Sequence, residues 1–97
     1  MTAYLIANYR ITDPDAYAAY PPAVAETLVP HGAEPLVVEF DSEPLEGESQ
    51  AVTIVLKFES REAARAWYES DDYRKIKHLR ADNTDGFLLI ADGVGET

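Results

Sequence analysis

The chain has 97 residues, of which 46% are hydrophobic, and its 18 acidic side chains against 8 basic ones give a formal charge of −10 at pH 7. That is one domain with a modest core, and the acidic balance argues against nucleic acid or anionic membranes as partners, since phosphates are bound by Lys and Arg. There is no cysteine, which excludes disulfides and thiolate metal sites and fits a reducing compartment. With no basic-then-apolar leader at the start and no apolar run of membrane-spanning length, the expected location is the cytoplasm.

Tyr4 to Ile11 (YLIANYRI) has the β-favouring, apolar character of a first strand. Thr12-Asp13-Pro14 then starts a helix, with Asp13 as N-cap and Pro14 in the first turn. This helix carries Tyr17 and Tyr20, and Pro21-Pro22 is expected to interrupt it, because proline lacks an amide proton and clashes with the preceding turn. The helix resumes over Ala23 to Val29 and ends at His31-Gly32, with Gly32 as the left-handed residue. Pro35 to Phe40 is the second strand. The acidic segment 41–50 is too long for a tight hairpin, and Ala51 to Phe58 (AVTIVLKF) is the third strand. Ser60 caps a helix over Arg61 to Glu69, and Ser70 caps another through about Ala81, with Asp71 and Asp72 complementing its dipole. Asp82 to Gly86 is expected to be a loop, Phe87 to Ala91 the fourth strand, and the tail 94–97 frayed.

The order strand, helix, strand, strand, helix, strand is the split βαβ pattern. It predicts an α+β, ferredoxin-like βαββαβ domain over residues 1–97, a four-stranded antiparallel sheet with its helices on one face. The strands are apolar on both sides. Val52, Ile54, Leu56 and Phe58 share one side of the third strand and Thr53, Val55 and Lys57 the other, while the fourth reads Phe87, Leu88, Leu89, Ile90, Ala91. A bare sheet face of this kind marks an interface. A homodimer through that face is the expectation, and a monomer whose 41–50 segment covers the face is the alternative. Tyr4, Ile6, Asn8 and Arg10 share a face of the first strand; if that face lies between sheets, Asn8 needs a polar partner there and a ligand could be it, the alternative being that Asn8 faces a helix end or solvent.

Thr12-Asp13-Pro14-Asp15-Ala16-Tyr17, Gly32, Leu45-Glu46-Gly47, Phe58-Glu59-Ser60-Arg61-Glu62-Ala63-Ala64, Trp67-Tyr68, Ser70, Tyr73, Arg80 and Asp92-Gly93 follow one another along nearly the whole chain. As an ordered set they resemble the DUF1330 family, small domains of unknown function in the dimeric α/β-barrel group. The resemblance implies the ferredoxin-like fold and a dimer, and supplies no agreed reaction. Two departures stand out: Ala33 where relatives often carry a second glycine, and Val38-Glu39-Phe40 where they often carry Arg-Gly-Gly. If that arginine helps to bind an anion in relatives, this chain lacks the cation on strand two.

No catalytic motif is specific by itself. His31 titrates nearest neutrality and is a candidate base at the barrel mouth, although a helix end favours an imidazolium for structural reasons alone. His78 sits among Lys75, Lys77 and Arg80 and reads as surface. Two distant histidines do not make a zinc site, and a haem held by either has no further support. Neither metal nor cofactor is expected. Tyr17, Tyr20 and Tyr73 have the apolar body and polar tip of a pocket that stacks a flat ligand, or of a helix–sheet core; Trp67 reads as core. Lys77 and Arg80 could take an anion. Ser49 and Ser60 have no adjacent base, so nucleophilic catalysis has no basis. Asn8, Tyr17, Tyr20, His31, Tyr73, Lys77 and Arg80 are thus the candidate ligand-binding set, with His31 and Tyr20 as candidates for proton transfer. The function anticipated is a cofactor-independent enzyme of isomerase, cyclase or oxygenase type acting on a small, largely apolar molecule; the alternatives are a non-catalytic ligand-binding or regulatory module and a purely structural dimer.

Overall fold

The computed structural model describes residues 1–94. β1 (Ala3–Ile11) is followed by α1 (Pro14–Tyr17) and α2 (Tyr20–Leu28), a 3₁₀ turn (Val29–His31), β2 (Glu34–Glu39), β3 (Val52–Phe58), α3 (Arg61–Tyr68), α4 (Asp71–Ala81) and β4 (Thr84–Asp92). The expected caps are in place. The Asp13 carboxylate accepts from the Ala16 amide, and the Ser60 and Ser70 hydroxyls accept from the Ala63 and Tyr73 amides. Each satisfies a first-turn N–H that has no intrahelical partner. Gly32 closes the 3₁₀ turn at φ 68°, a left-handed conformation with no Cβ penalty.

Two boundaries differ from expectation. Pro21 and Pro22 do not interrupt a helix; the break falls earlier, at Ala18-Ala19, and the prolines occupy the first turn of α2. First-turn amides make no intrahelical bond, so proline costs little there. β4 begins at Thr84 rather than Phe87, because Thr84, Asp85 and Gly86 pair with Ile11, Arg10 and Tyr9 of β1. Gly86 is needed at this point: a Cβ would overlap the Asn8 carbonyl and the Tyr9 Cα and Cβ. The expectation for the tail falls, past Val94, outside the described residues.

The strands run in the order β2-β3-β1-β4, every neighbouring pair antiparallel. This is the ferredoxin-like α+β fold. The side facing the helices buries Ala3, Leu5, Ala7 and Tyr9 of β1 with Val52, Leu56 and Phe58 of β3. Trp67 of α3 packs on Phe58, and its indole N–H donates to the Thr27 hydroxyl at 2.9 Å, tying α3 to α2. The helices stop short of edge strand β2, every residue of which is exposed. That uncovered edge leaves a cleft between α2 and the sheet.

The opposite face carries Tyr4, Ile6 and Val55, half-buried, together with Val37, Phe87 and Leu89, which are exposed. Segment 41–50 leaves these last three uncovered; its Leu45 is 88% exposed. Its ends are fastened beside β1 and β3, where the Asn8 amide donates to the Gln50 and Val52 carbonyls and the Ser42 and Thr53 hydroxyls bond at 2.6 Å.

Candidate functional site

The alternation of β1 puts Tyr9 on the helix side, at the end of the row that begins with Ala3. Tyr17 arrives from α1 and Tyr20 from the first turn of α2. Tyr73 and Arg80 come from α4, seven residues apart and therefore on one stripe of that helix. These five side chains meet beneath the α1–α2 break. The Tyr9 and Tyr17 hydroxyls bond at 2.7 Å and the Tyr20 and Tyr73 hydroxyls at 2.8 Å; Arg80 Nε donates to the Tyr73 hydroxyl at 3.1 Å. The Tyr17 and Tyr20 rings lie 5.5 Å apart, linking the two pairs.

The cleft beside this cluster has a volume of about 190 Å³. Its wall is mostly aliphatic, including Leu5, Val24, Leu28, Ile54, Leu56 and Leu88, and Tyr9, Tyr17, Tyr20 and Arg80 also line it. Val38 and Phe40, on the uncovered β2 side, are exposed and complete the lining. No carboxylate or histidine is among the lining residues.

Burial sets the electrostatics. Desolvation, with the neighbouring hydroxyl next in size, pushes the Tyr9 phenol well above the usual tyrosine range; Tyr20 is raised by desolvation and then by Tyr73. Desolvation also raises Tyr17. These phenols are therefore neutral hydrogen-bonding groups near pH 7, unsuited to act as bases. Arg80 is only 9% exposed. Burial disfavours its charge, the Tyr73 phenol oxygen accepts from it, and a guanidinium stays protonated in proteins. Among the described residues the ion pairs within 4.0 Å are Arg10 with Asp85 and Arg61 with Asp92, so Arg80 has no carboxylate partner. No group of His, Asp and Glu among these residues could hold a metal ion, and no helix is long and apolar enough to cross a membrane.

The family model described as "Domain of unknown function (DUF1330)" matches residues 2–94. The chain belongs to the DUF1330 family. The search of curated proteins gave no match. Among solved structures, this DUF1330 domain is similar to RPA0582, a protein of unknown function from Rhodopseudomonas palustris (17% identity, 98% of this chain and 84% of that one, TM-score 0.77). It is also similar to Rv0793 from Mycobacterium tuberculosis (19% identity, 99% and 98% covered, TM-score 0.58) and to an antibiotic biosynthesis monooxygenase (13% identity, 98% and 100% covered, TM-score 0.58). At these identities the likeness shows the shared fold.

The DUF1330 domain brings Tyr17, Tyr20 and Arg80 of the candidate set to the cleft, with Tyr73 one hydrogen bond behind them. The other three lie elsewhere. Asn8 is on the opposite sheet face; besides the Gln50 and Val52 carbonyls it bonds the Thr53 hydroxyl, and its own carbonyl accepts from the Gln50 amide at 2.8 Å. His31 is half-buried in the 3₁₀ turn and does not line the cleft. Lys77 lays its ammonium 4.6 Å above the Tyr68 ring, outside the cleft. Tyr9 belongs to the cluster and was not among the sequence candidates. Its signal was the parity of β1, which places it with Leu5 and Ala7 rather than with Asn8.

Proposed function

We propose that the cleft binds a compact, largely apolar organic molecule, orienting it with tyrosine hydroxyls and Arg80. One observation carries this reading: an aliphatic hollow of about 190 Å³ that is also lined by Tyr17, Tyr20 and Arg80. Small-molecule sites are mainly apolar with a few convergent polar groups, and a protein cavity of about 150 Å³ already accepts a benzene ring. The protein would work as a cytoplasmic homodimer, with a second copy on the open sheet face. The exposed Val37, Phe87 and Leu89, left bare by segment 41–50, support that part.

Cofactor-independent catalysis, of isomerase, cyclase or oxygenase type, is the second reading. It is supported by donors suited to charge developing on a substrate oxygen, the protonated tyrosines and Arg80, and by a structural neighbour named as a monooxygenase. The experiment is mass spectrometry of small molecules that co-purify with the native protein, repeated with Val38→Trp, which crowds the cleft from its exposed edge. A retained compound that this variant loses supports the site. Equal retention by both proteins counts against it. Incubating the compound with the protein then separates the readings, since conversion makes it an enzyme and unchanged release a binding module.

A further inference from the structure

Arg80 poses a chemical problem that the fold leaves open. A guanidinium has five N–H donors. In Arg80 the Nε donor goes to Tyr73, and the Nη groups make no hydrogen bond to protein among the described residues. The residue is nine-tenths buried, it lines the cleft, and the surrounding wall is mostly aliphatic, with tyrosines among its other members. The chain has 18 acidic residues, yet no carboxylate of a described residue comes within 4.0 Å of this one cation. A buried charge is ordinarily paired. Here the missing counter-charge and the empty space adjoin.

We infer that the ligand supplies the counter-charge: the cleft takes a monocarboxylate with a small apolar body, its carboxylate seated on the Nη groups of Arg80. This rests on the binding reading above and names the class of ligand. A planar fork of N–H groups matches a carboxylate with two parallel hydrogen bonds. One buried positive charge balances one negative charge, and the net charge of −10 repels polyanions. Either phenol of the Tyr20–Tyr73 pair can be the donor, and when Tyr73 donates the Tyr20 O–H is free for a ligand oxygen as well. A volume of about 190 Å³ suits an aromatic ring or a short branched chain bearing the acid group.

The test is calorimetric titration of the full chain with benzoate, phenylacetate, benzamide and benzyl alcohol. The acids should bind at least tenfold more tightly than the neutral compounds, and their affinity should fall as the pH drops through the ligand's own pKa. Arg80→Met should erase the preference while retaining benzyl alcohol, Arg80→Lys should keep part of it, and Lys77→Ala should change nothing. If Arg80→Met does not fold, Arg80→Lys and the ligand series on the unaltered protein decide. Neutral compounds binding as well as acids, or a preference that survives Arg80→Met, would overturn the carboxylate assignment and leave the cleft reading standing. No binding by any of the four overturns both.

Discussion

Arg80 and Tyr73 stand seven residues apart on one helix, joined by a 3.1 Å hydrogen bond from Nε to the phenol oxygen, and that phenol is the only described protein group to which the Arg80 side chain donates. A cation held this way does little for stability. Arg80→Met should leave the ligand-free protein unchanged or stabilise it by up to about 2 kcal/mol, because the apolar side chain removes a desolvation cost while Tyr73 keeps Tyr20 as a partner. Urea denaturation measures this. A loss of more than about 2 kcal/mol would mean that Arg80 is there to hold the fold.

The Tyr9–Tyr17 pair should behave as a unit. Tyr9→Phe or Tyr17→Phe alone strands a buried hydroxyl and should cost about 1–2 kcal/mol. The double variant should cost less than the sum by about 0.5–1 kcal/mol. Strict additivity in a double-mutant cycle would show that the 2.7 Å contact carries no coupling.

Alkaline pH should unfold the protein through these phenols. Burial raises Tyr9, Tyr17 and Tyr20 above the ordinary 10.0, so the folded state favours their neutral forms. Their contribution is complete below the unfolded value near pH 10 and declines as the pH climbs beyond it. Phenolate absorbance followed beside near-ultraviolet circular dichroism should show them ionising only as tertiary structure is lost. Tyr9→Phe should make stability fall less steeply with pH in this range. Ionisation of all six tyrosines in an intact fold would contradict the burial.

Asn8 holds the ends of segment 41–50 rather than lining the cleft. Asn8→Ala should cost about 1–3 kcal/mol, since the Gln50 amide loses its acceptor and the Gln50 and Val52 carbonyls lose their donor. Hydrogen exchange at Gln50 should quicken, while benzoate affinity stays as in the unaltered protein. An affinity change of tenfold would place Asn8 in the site.

Leu89→Arg sets a charge on the apolar open face, where Leu89 is 45% exposed. Sedimentation should find a dimer for the unaltered chain and a folded monomer for the variant. A monomer in both cases would remove the second copy from that face.

Patterns confined to one element were legible in the sequence. Ser60 and Ser70 read as caps because a first-turn amide three residues on needs an acceptor wherever the helix lies. The faces of β3 followed from alternation alone. Partners were not legible, for periodicity says which residues share a face and not what that face meets. Asn8 and Tyr9 are adjacent and polar-tipped, and only the packing of helices on one side decided that Tyr9 joins the cleft cluster while Asn8 anchors a loop. The α2 start at Tyr20 escaped for a related reason, because a proline pair reads equally as a break or as a first turn until the chain's path is known.

Composition, strand alternation, caps and element order thus determined a ferredoxin-like domain with an apolar second sheet face. Tertiary structure alone decided the site. Tyr20 and Tyr73 are 53 residues apart in sequence and 2.8 Å apart in the fold. Arg80 stood beside Lys77 as an anion candidate in a basic stretch, and only when α4 turned the stripe of Tyr73 and Arg80 inward against α2 did it become a buried cation with no carboxylate partner among the described residues.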